Sequence, residues 1–378
     1  MSSRDQGGSA QFAGLQAAPF GPRGLRLRSR VLLSGRQVSS WDPTRVVVAF
    51  EASALDAAQY TRLGARGELS LEPERPGRLV FRGLDADLED LVELDAGLAP
   101  ILAAHRLAKA APRPLRIMGI VNVTPDSFSD GGRFLGSEEA IEHGKRLIAA
   151  GADLLDIGAE STRPGAEPVS LEDELARVIP VVRGLAEATD IPLSIDTTKA
   201  EVARSALAAG ATTVNDVSAG LVEPAILNTT AEADADLVLM HMLGSPRDMQ
   251  VDPKYEDVAG EVIEHLRERV AIAWRAGVAI PKIQVDPGIG FGKRLEDNLA
   301  LIRALPELRS LGRPILLGVS RKSFLGRLGG IDEPADRLTD TAAAITAGIL
   351  LGAEILRVHA VEQLVPAIRV ATALARND

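Results

Sequence analysis

No cysteine occurs anywhere in the 378 residues. A disulfide framework, a thiolate nucleophile and a thiolate zinc site are therefore all excluded. The absence suits a reducing compartment, and a cytoplasmic location is expected. No run approaches the ~20 apolar residues of a membrane span. Met1 to Pro19 is polar, so no secretory signal is expected there. Basic side chains are outnumbered, 42 against 52 acidic ones, for a formal charge of -10. That balance argues against broad binding to nucleic acid or anionic membranes, but leaves room for a local basic pocket. The five histidines (His105, His143, His241, His265 and His359) show neither HExxH nor paired HxH spacing, which weakens any histidine-based metal cage.

What is present is an ordinary globular balance, 46% apolar and 25% charged, in a chain long for a single core. Residues 1–24 are rich in Gly, Ser and Gln, and disorder is expected there. Residues 25–111 read as a small α+β extension of unassigned role. Arg45–Phe50 is a Val-rich strand candidate, and Glu68–Phe81 alternates enough for further strands. Asp85–Asp95 reads as an amphipathic helix or a solvated turn. Arg23, Arg26, Arg28 and Arg30 form a modest basic cluster, read first as a solvated segment and second as an anion or partner contact. Pro112 and Pro114 mark a linker, and residues 112–378 the catalytic domain.

From residue 115 strands and helices alternate. Strands are expected at Leu115–Val123, Leu154–Ala159, Leu193–Thr197, Thr213–Val217, Leu237–Met242, Lys282–Asp286, Ile315–Val319 and Glu354–His359. Helical patterns lie at Glu138–Ala150, Leu171–Ala188, Lys199–Ala209, Glu223–Glu232, Val258–Ala276, Leu295–Ala304, Asp340–Leu350 and Glu362–Leu374. Eight strand–helix pairs match a (β/α)8 TIM barrel in number and size. A doubly wound sheet has the same alternation, but no GxGxxG follows the first strand, which favours the barrel.

A barrel places its functional residues at the C-terminal ends of the strands. Those ends carry Asn122 and Thr124; Asp156, then Glu160 to Pro164; Asp196; Asn215 and Asp216; His241; Asp286; Ser320 to Ser323; and Arg357 with His359. A single aspartate there is most often a cap or turn former. Polar residues at all eight ends together are harder to explain that way. Asp196 and Asp286, aimed into a crowded interior, need donors. A flat aminopyrimidinone or pterin ring supplies them, with Asn215 and Lys322 meeting its carbonyl and ring nitrogen. Arg357, His359, Arg163 and Asn122 form a second group suited to a phosphate or pyrophosphate. The glycines of the loop Gly288-Ile289-Gly290-Phe291-Gly292 serve either a tight turn or backbone placement beside a ligand. Lys293 reads as solvated.

The segments MGIVNVTPDSFSDGG, DIGAESTRPGAEPV, LSIDTTKAEV, VNDVSAG, LMHMLGSPRDMQ, VDPGIGFGK, GVSRKSF and RVHAVE resemble, in order, the motifs of the dihydropteroate synthase family. The resemblance spans about residues 115–370. It implies condensation of 6-hydroxymethyl-7,8-dihydropterin pyrophosphate with p-aminobenzoate, with Mg²⁺, giving 7,8-dihydropteroate and pyrophosphate. By position, Asp196, Asn215, Asp286 and Lys322 resemble the pterin-recognition set. Arg357 resembles the arginine beside pterin and phosphate, and His359 and Asn122 the pyrophosphate contacts, Asn122 also the Mg²⁺ contact. Thr162, Arg163, Pro164, Phe291 and Ser323 match the p-aminobenzoate region. A homodimer is implied, with the helix around Thr341–Ile349 as a candidate face.

The chain departs from the family pattern at Ala159 and Ala219, where Gly is usual, and at Ala360, where Asp is common. The nearest rival reading is a methyltetrahydrofolate methyltransferase. It would share the pterin carboxylates but would not need the anion group.

Overall fold

The computed structural model describes residues 26–27, 45–51, 61, 65, 68–71 and 78–84, then 114–123, 133–160 and 168–375 apart from Pro246. The expectations for residues 1–24 and 85–95, and for the basic cluster other than Arg26, lie outside the described residues.

In the N-terminal region β1 (Arg26–Leu27), β2 (Arg45–Glu51), β3 (Glu68–Leu71) and β4 (Arg78–Leu84) form an antiparallel sheet in the order β1-β2-β4-β3. The alternating stretch expected over Glu68–Phe81 is two strands, β3 and β4, paired from Glu68↔Arg82 to Leu71↔Leu79. Pro73, Pro76 and Gly77 lie between them in sequence, where a ladder cannot easily continue.

The remainder forms a parallel barrel. Its strands are β5 (Arg116–Asn122), β6 (Leu154–Gly158), β7 (Leu193–Asp196), β8 (Thr213–Asp216), β9 (Asp236–Met240), β10 (Ile283–Asp286), β11 (Leu316–Leu317) and β12 (Ile355–Val358). They run in the order β10-β9-β8-β7-β6-β5-β12-β11. A parallel bridge between Val285 and Ile315 joins β10 to the start of β11, nearly closing the ring. This decides between barrel and open sheet. Strands covered on both faces read as unbroken apolar runs, which is why β6 and β8 are buried throughout. Met118, Leu154, Val238, Leu316 and Ile355, from five different strands, pack into one core cluster.

The helices are α1 (Arg133–Ala149), α2 (Leu171–Ala188), α3 (Ala200–Ala208), α4 (Ala225–Glu232), α5 (Val258–Arg275), α6 (Leu295–Arg303), α7 (Leu305–Leu308), α8 (Ser323–Gly329), α9 (Leu338–Leu350) and α10 (Val361–Ala375). In α2 the local causes are visible. Ser170 caps the N-terminus by accepting from Asp173 N at 3.1 Å, and Glu172, Asp173 and Glu174 complement the dipole. Val178, Val181, Val182 and Leu185 then fall on one face and are buried.

Strand β11 and helices α7 and α8 differ from expectation, α7 being a four-residue helix that was not expected. Strand β11 is two residues long instead of five, and α8 follows it unannounced. Seven residues with two glycines carry too little periodicity to show as a helix.

Candidate functional site

The C-terminal ends of the strands assemble a charged cluster around Arg357 on β12. Its Nε donates to Asp156 Oδ2 at 2.6 Å, and its Nη2 to Asp196 Oδ2 at 2.7 Å. Asn215 Nδ2 donates to the same Asp156 oxygen at 3.0 Å. Four strands thus meet through one guanidinium and one amide. The other Asp156 oxygen, Oδ1, is buried and has no hydrogen-bond partner among the described residues. Asp156 is the residue that sequence reasoning undervalued. It was visible as a lone acid inside an apolar strand, Leu154-Leu155-Asp156-Ile157-Gly158, a position that is costly unless paired. Arg357, expected with the anion-binding group, is also engaged by the carboxylates.

Asp286 closes the opposite side. Its Oδ1 accepts from Gly288 N at 2.7 Å. A Cβ added to Gly318 would stand 3.9 Å from both Asp286 Oδ2 and Lys322 Nζ, and 4.0 Å from Arg357 Cβ. Those three side chains therefore border the space that the glycine leaves open. Lys322 Nζ donates to the Ile289 carbonyl and lies 4.4 Å from the centre of the Phe291 ring. Ser323 follows directly as the first residue of α8.

Charges gathered out of water titrate abnormally. Burial raises the Asp196 carboxyl to about 7 against the pull of Arg357, with Asp156 adding to the rise. Burial also raises Asp286, with Lys322 opposing. Lys322 is brought down to about 8 by burial, with Asp286 resisting. Burial alone would weaken the charge on Arg357, but Asp156 and Asp196 outweigh it and hold the group firmly protonated.

Neighbouring residues on one strand point to opposite faces. Asn215 reaches Asp156, whereas Asp216 turns away. Asp216 accepts from Ser218 N at 2.8 Å, Ser218 Oγ at 2.7 Å and Gly220 N at 2.6 Å, shaping the turn after β8. His241 also leaves the pocket: its ring packs edge-on to His265 at 4.8 Å, and Lys293 Nζ lies 2.9 Å from its Nδ1.

Lys293 is a correction to the sequence reading. It is buried, and also donates to the carbonyls of Phe291 at 2.8 Å and His241 at 3.2 Å. Burial drives its pKa far down. It ties the glycine loop to the end of β9. That close approach explains Gly288, which has a φ of 67° and whose added Cβ would lie 1.9 Å from the His241 carbonyl oxygen.

His359 follows β12, with its Nδ1 3.0 Å from Ser320 Oγ. Asn122 ends β5, half-buried. Thr162, Arg163 and Pro164 lie outside the described residues. Glu160, two residues before Thr162, is held by Lys199 at 2.5 Å, and the same Lys199 nitrogen reaches the fully buried Glu174 at 2.5 Å. Thr197 Oγ1 completes the network by donating to Glu174 at 2.7 Å. Of the departures, Ala219 has a φ of 53°, where glycine sits without strain. Ala360 accepts from Leu364 N at 3.1 Å as α10 begins, but as alanine it brings no capping oxygen. Ala159 is buried, its carbonyl 3.4 Å from Arg177 Nη1.

The pattern of the pterin-binding enzymes matches residues 118–359. A dihydropteroate synthase of Synechocystis is 48% identical over 260 residues, covering 69% of this chain and 90% of that protein. The chain belongs to the dihydropteroate synthase family. Its barrel also resembles solved structures of that family. Xanthomonas albilineans dihydropteroate synthase with 4-aminobenzoic acid has a TM-score of 0.66 at 48% identity, covering 70% of this chain and 94% of that one. The same enzyme in complex with 7,8-dihydropteroate scores 0.64 at 44% identity, covering 72% and 99%. This dihydropteroate synthase relationship rests on the barrel; the N-terminal sheet lies before the matched residues.

Proposed function

We propose that the cluster binds the pterin of 6-hydroxymethyl-7,8-dihydropterin pyrophosphate and condenses it with p-aminobenzoate, releasing pyrophosphate and forming 7,8-dihydropteroate. The observation that carries this reading is the buried acceptor surplus. Asp156 and Asp196 both bind Arg357, which borders the same opening as Asp286 and Lys322, and among the described residues Asp156 Oδ1 has no hydrogen-bond partner. A flat ring edged with N–H donors satisfies such acceptors, while Lys322 and Asn215 answer its carbonyl and ring nitrogen.

In this mechanism the C–O bond to pyrophosphate breaks first, and its electron pair leaves with the pyrophosphate. Asp196 and Asp286 stabilise the positive charge that develops on the pterin. Arg357, His359 and Asn122 stabilise the leaving anion. The aryl amine of p-aminobenzoate, received by Thr162, Arg163, Pro164, Phe291 and Ser323, attacks the exocyclic methylene carbon and then loses its proton. No covalent enzyme intermediate is required.

Magnesium is implied by the family resemblance. Among the described residues no group of three or more His, Asp or Glu side chains converges as a metal cage. A hard cation that keeps its waters and takes oxygens from a diphosphate needs no such cage, and the amide oxygen of Asn122 fits it. Asn122 would hold the ion together with the substrate. Bound there, it would offset the charge of the leaving group.

The division into an extension (residues 25–111) and a catalytic barrel (112–378) belongs to the same proposal, as does a cytoplasmic location. No described helix is long and apolar enough to cross a membrane. A homodimer is supported by the apolar side chains left exposed on α9 and α10, namely Leu350, Val370 and Leu374.

The test is Mg²⁺-dependent pyrophosphate release from the pterin substrate, with and without p-aminobenzoate, alongside detection of dihydropteroate. Coupled product formation that collapses in Asp196→Asn and Lys322→Ala, both folded, is expected. Pterin binding without condensation would refute it.

A further inference from the structure

Ser320 follows β11 and His359 follows β12, neighbouring parallel strands, so the two side chains meet at the rim of the site. Ser320 Oγ is 3.0 Å from His359 Nδ1 and 3.3 Å from the His359 main-chain nitrogen. The serine is buried, only 6% exposed.

A hydroxyl has one proton to give and two lone pairs to offer. The main-chain N–H of His359 can only donate, so it occupies a lone pair. The hydroxyl proton then needs an acceptor, because buried donors are seldom left unpaired. Both recorded hydrogen bonds of Ser320 among the described residues go to His359, which makes Nδ1 the acceptor. An imidazole nitrogen that accepts carries no proton, and in the neutral ring the proton then resides on Nε2.

The turn presenting Ser320 is held firmly. Arg321 adopts a φ of 60°, its N–H donates to Thr341 Oγ1 at 3.2 Å, and its carbonyl accepts from Arg337 Nη1 at 2.9 Å. A left-handed arginine persists only where its surroundings over-determine it. These contacts from Arg337 and α9 thereby fix Ser320 and Lys322, on either side of Arg321.

We infer that Ser320 is a positioning residue that locks His359 as its Nε2–H tautomer, so that the ring donates a hydrogen bond to an oxygen of the departing pyrophosphate. The opposite tautomer would turn a lone pair toward that anion. No proton is transferred by this pair, since the proton lost in the reaction is the amine's. The inference rests on the reading of His359 as a pyrophosphate contact.

Ring-nitrogen NMR of ¹⁵N-labelled full-length protein at pH 8, without substrate, tests it directly, with His359 identified by the signals missing from His359→Asn. A protonated Nε2 and a bare Nδ1 are expected, and the reverse pattern overturns the inference. In Ser320→Ala the two nitrogens should move toward averaged values. Turnover should fall about tenfold, the effect of one oriented hydrogen bond in the transition state. Ser320→Thr, which keeps the hydroxyl, should restore both. A Ser320→Ala protein that retains the wild-type spectrum and rate also overturns the inference. Unchanged turnover in His359→Ala would instead refute the pyrophosphate contact, while the spectrum continues to judge Ser320.

Discussion

Replacing Asp156 with Asn removes one negative charge from the centre of the site and changes its outline hardly at all. The amide oxygen can still accept from Arg357 and Asn215 where Oδ2 does now, at 2.6 and 3.0 Å. Two consequences follow. Asp156 and Asp196 bind neighbouring nitrogens of one guanidinium. Their charges are thus roughly 5 Å apart, and at an effective dielectric of ~20 they repel by about 3 kcal/mol. Arg357 lies against both carboxylates and its side chain is 23% exposed. Solvent and counter-charge therefore reduce the repulsion, leaving about one pKa unit.

Asp196, held up to about 7 in the parent, should accordingly ionise near pH ~6 in the variant. The second consequence concerns Oδ1, where the variant presents an N–H₂ donor in place of an unpartnered acceptor. A pterin N–H meeting it loses a hydrogen bond and gains a clash of donors, which costs about 1–3 kcal/mol or roughly 10- to 100-fold in kcat/KM. The assay is pyrophosphate release against pH from 5 to 9, at low pterin substrate and saturating p-aminobenzoate, with urea unfolding to confirm that the variant folds. An acid limb that stays at the parent position, or moves upward, refutes the electrostatic argument. An undiminished kcat/KM refutes the placement of Oδ1 against the pterin.

Four further expectations come from the same geometry. In the parent, kcat/KM should rise as Asp196 ionises near pH 7 and fall as Lys322 deprotonates near pH 8; Lys322→Arg, always charged, should abolish the basic limb, and its persistence would assign that limb elsewhere. The raised Asp196 also contributes to folding stability, fully below pH ~4 and progressively less as pH rises through about 7, which pH-dependent urea midpoints can follow. Lys199→Met leaves the fully buried Glu174 with only the Thr197 hydroxyl among the described residues and should cost about 2–4 kcal/mol of stability; an unchanged urea midpoint would show the network to be neutral. Ala219→Gly relieves a left-handed alanine at some cost in unfolded-chain entropy, for a net gain of about 0.5–1 kcal/mol; a lower melting temperature would contradict the strain argument.

Much of this protein is encoded locally. The period of the apolar residues and the caps define strands and helices, as in Leu171–Ala188, which forms the helix over the expected residues. The strand-end rule then gathers Asp196, Asn215, Asp286, Lys322 and Arg357 without any coordinates, because a parallel barrel turns all its C-terminal ends to one side. Closure was beyond sequence, since an open sheet has the same alternation; it depends on the bridge from Val285 to Ile315, 30 residues along the chain. Partners were also beyond it. Arg357 could face phosphate or carboxylate until β12 was set beside β5 and close to Asp156, 201 residues away in sequence. By type and position His241 reads as a site residue and Lys293 as a solvated one, yet burial turns them against each other. Residue type and spacing determine which groups reach the top of the barrel. Which charge neutralises which is decided by through-space distance and desolvation, and both exist only once the strands are assembled.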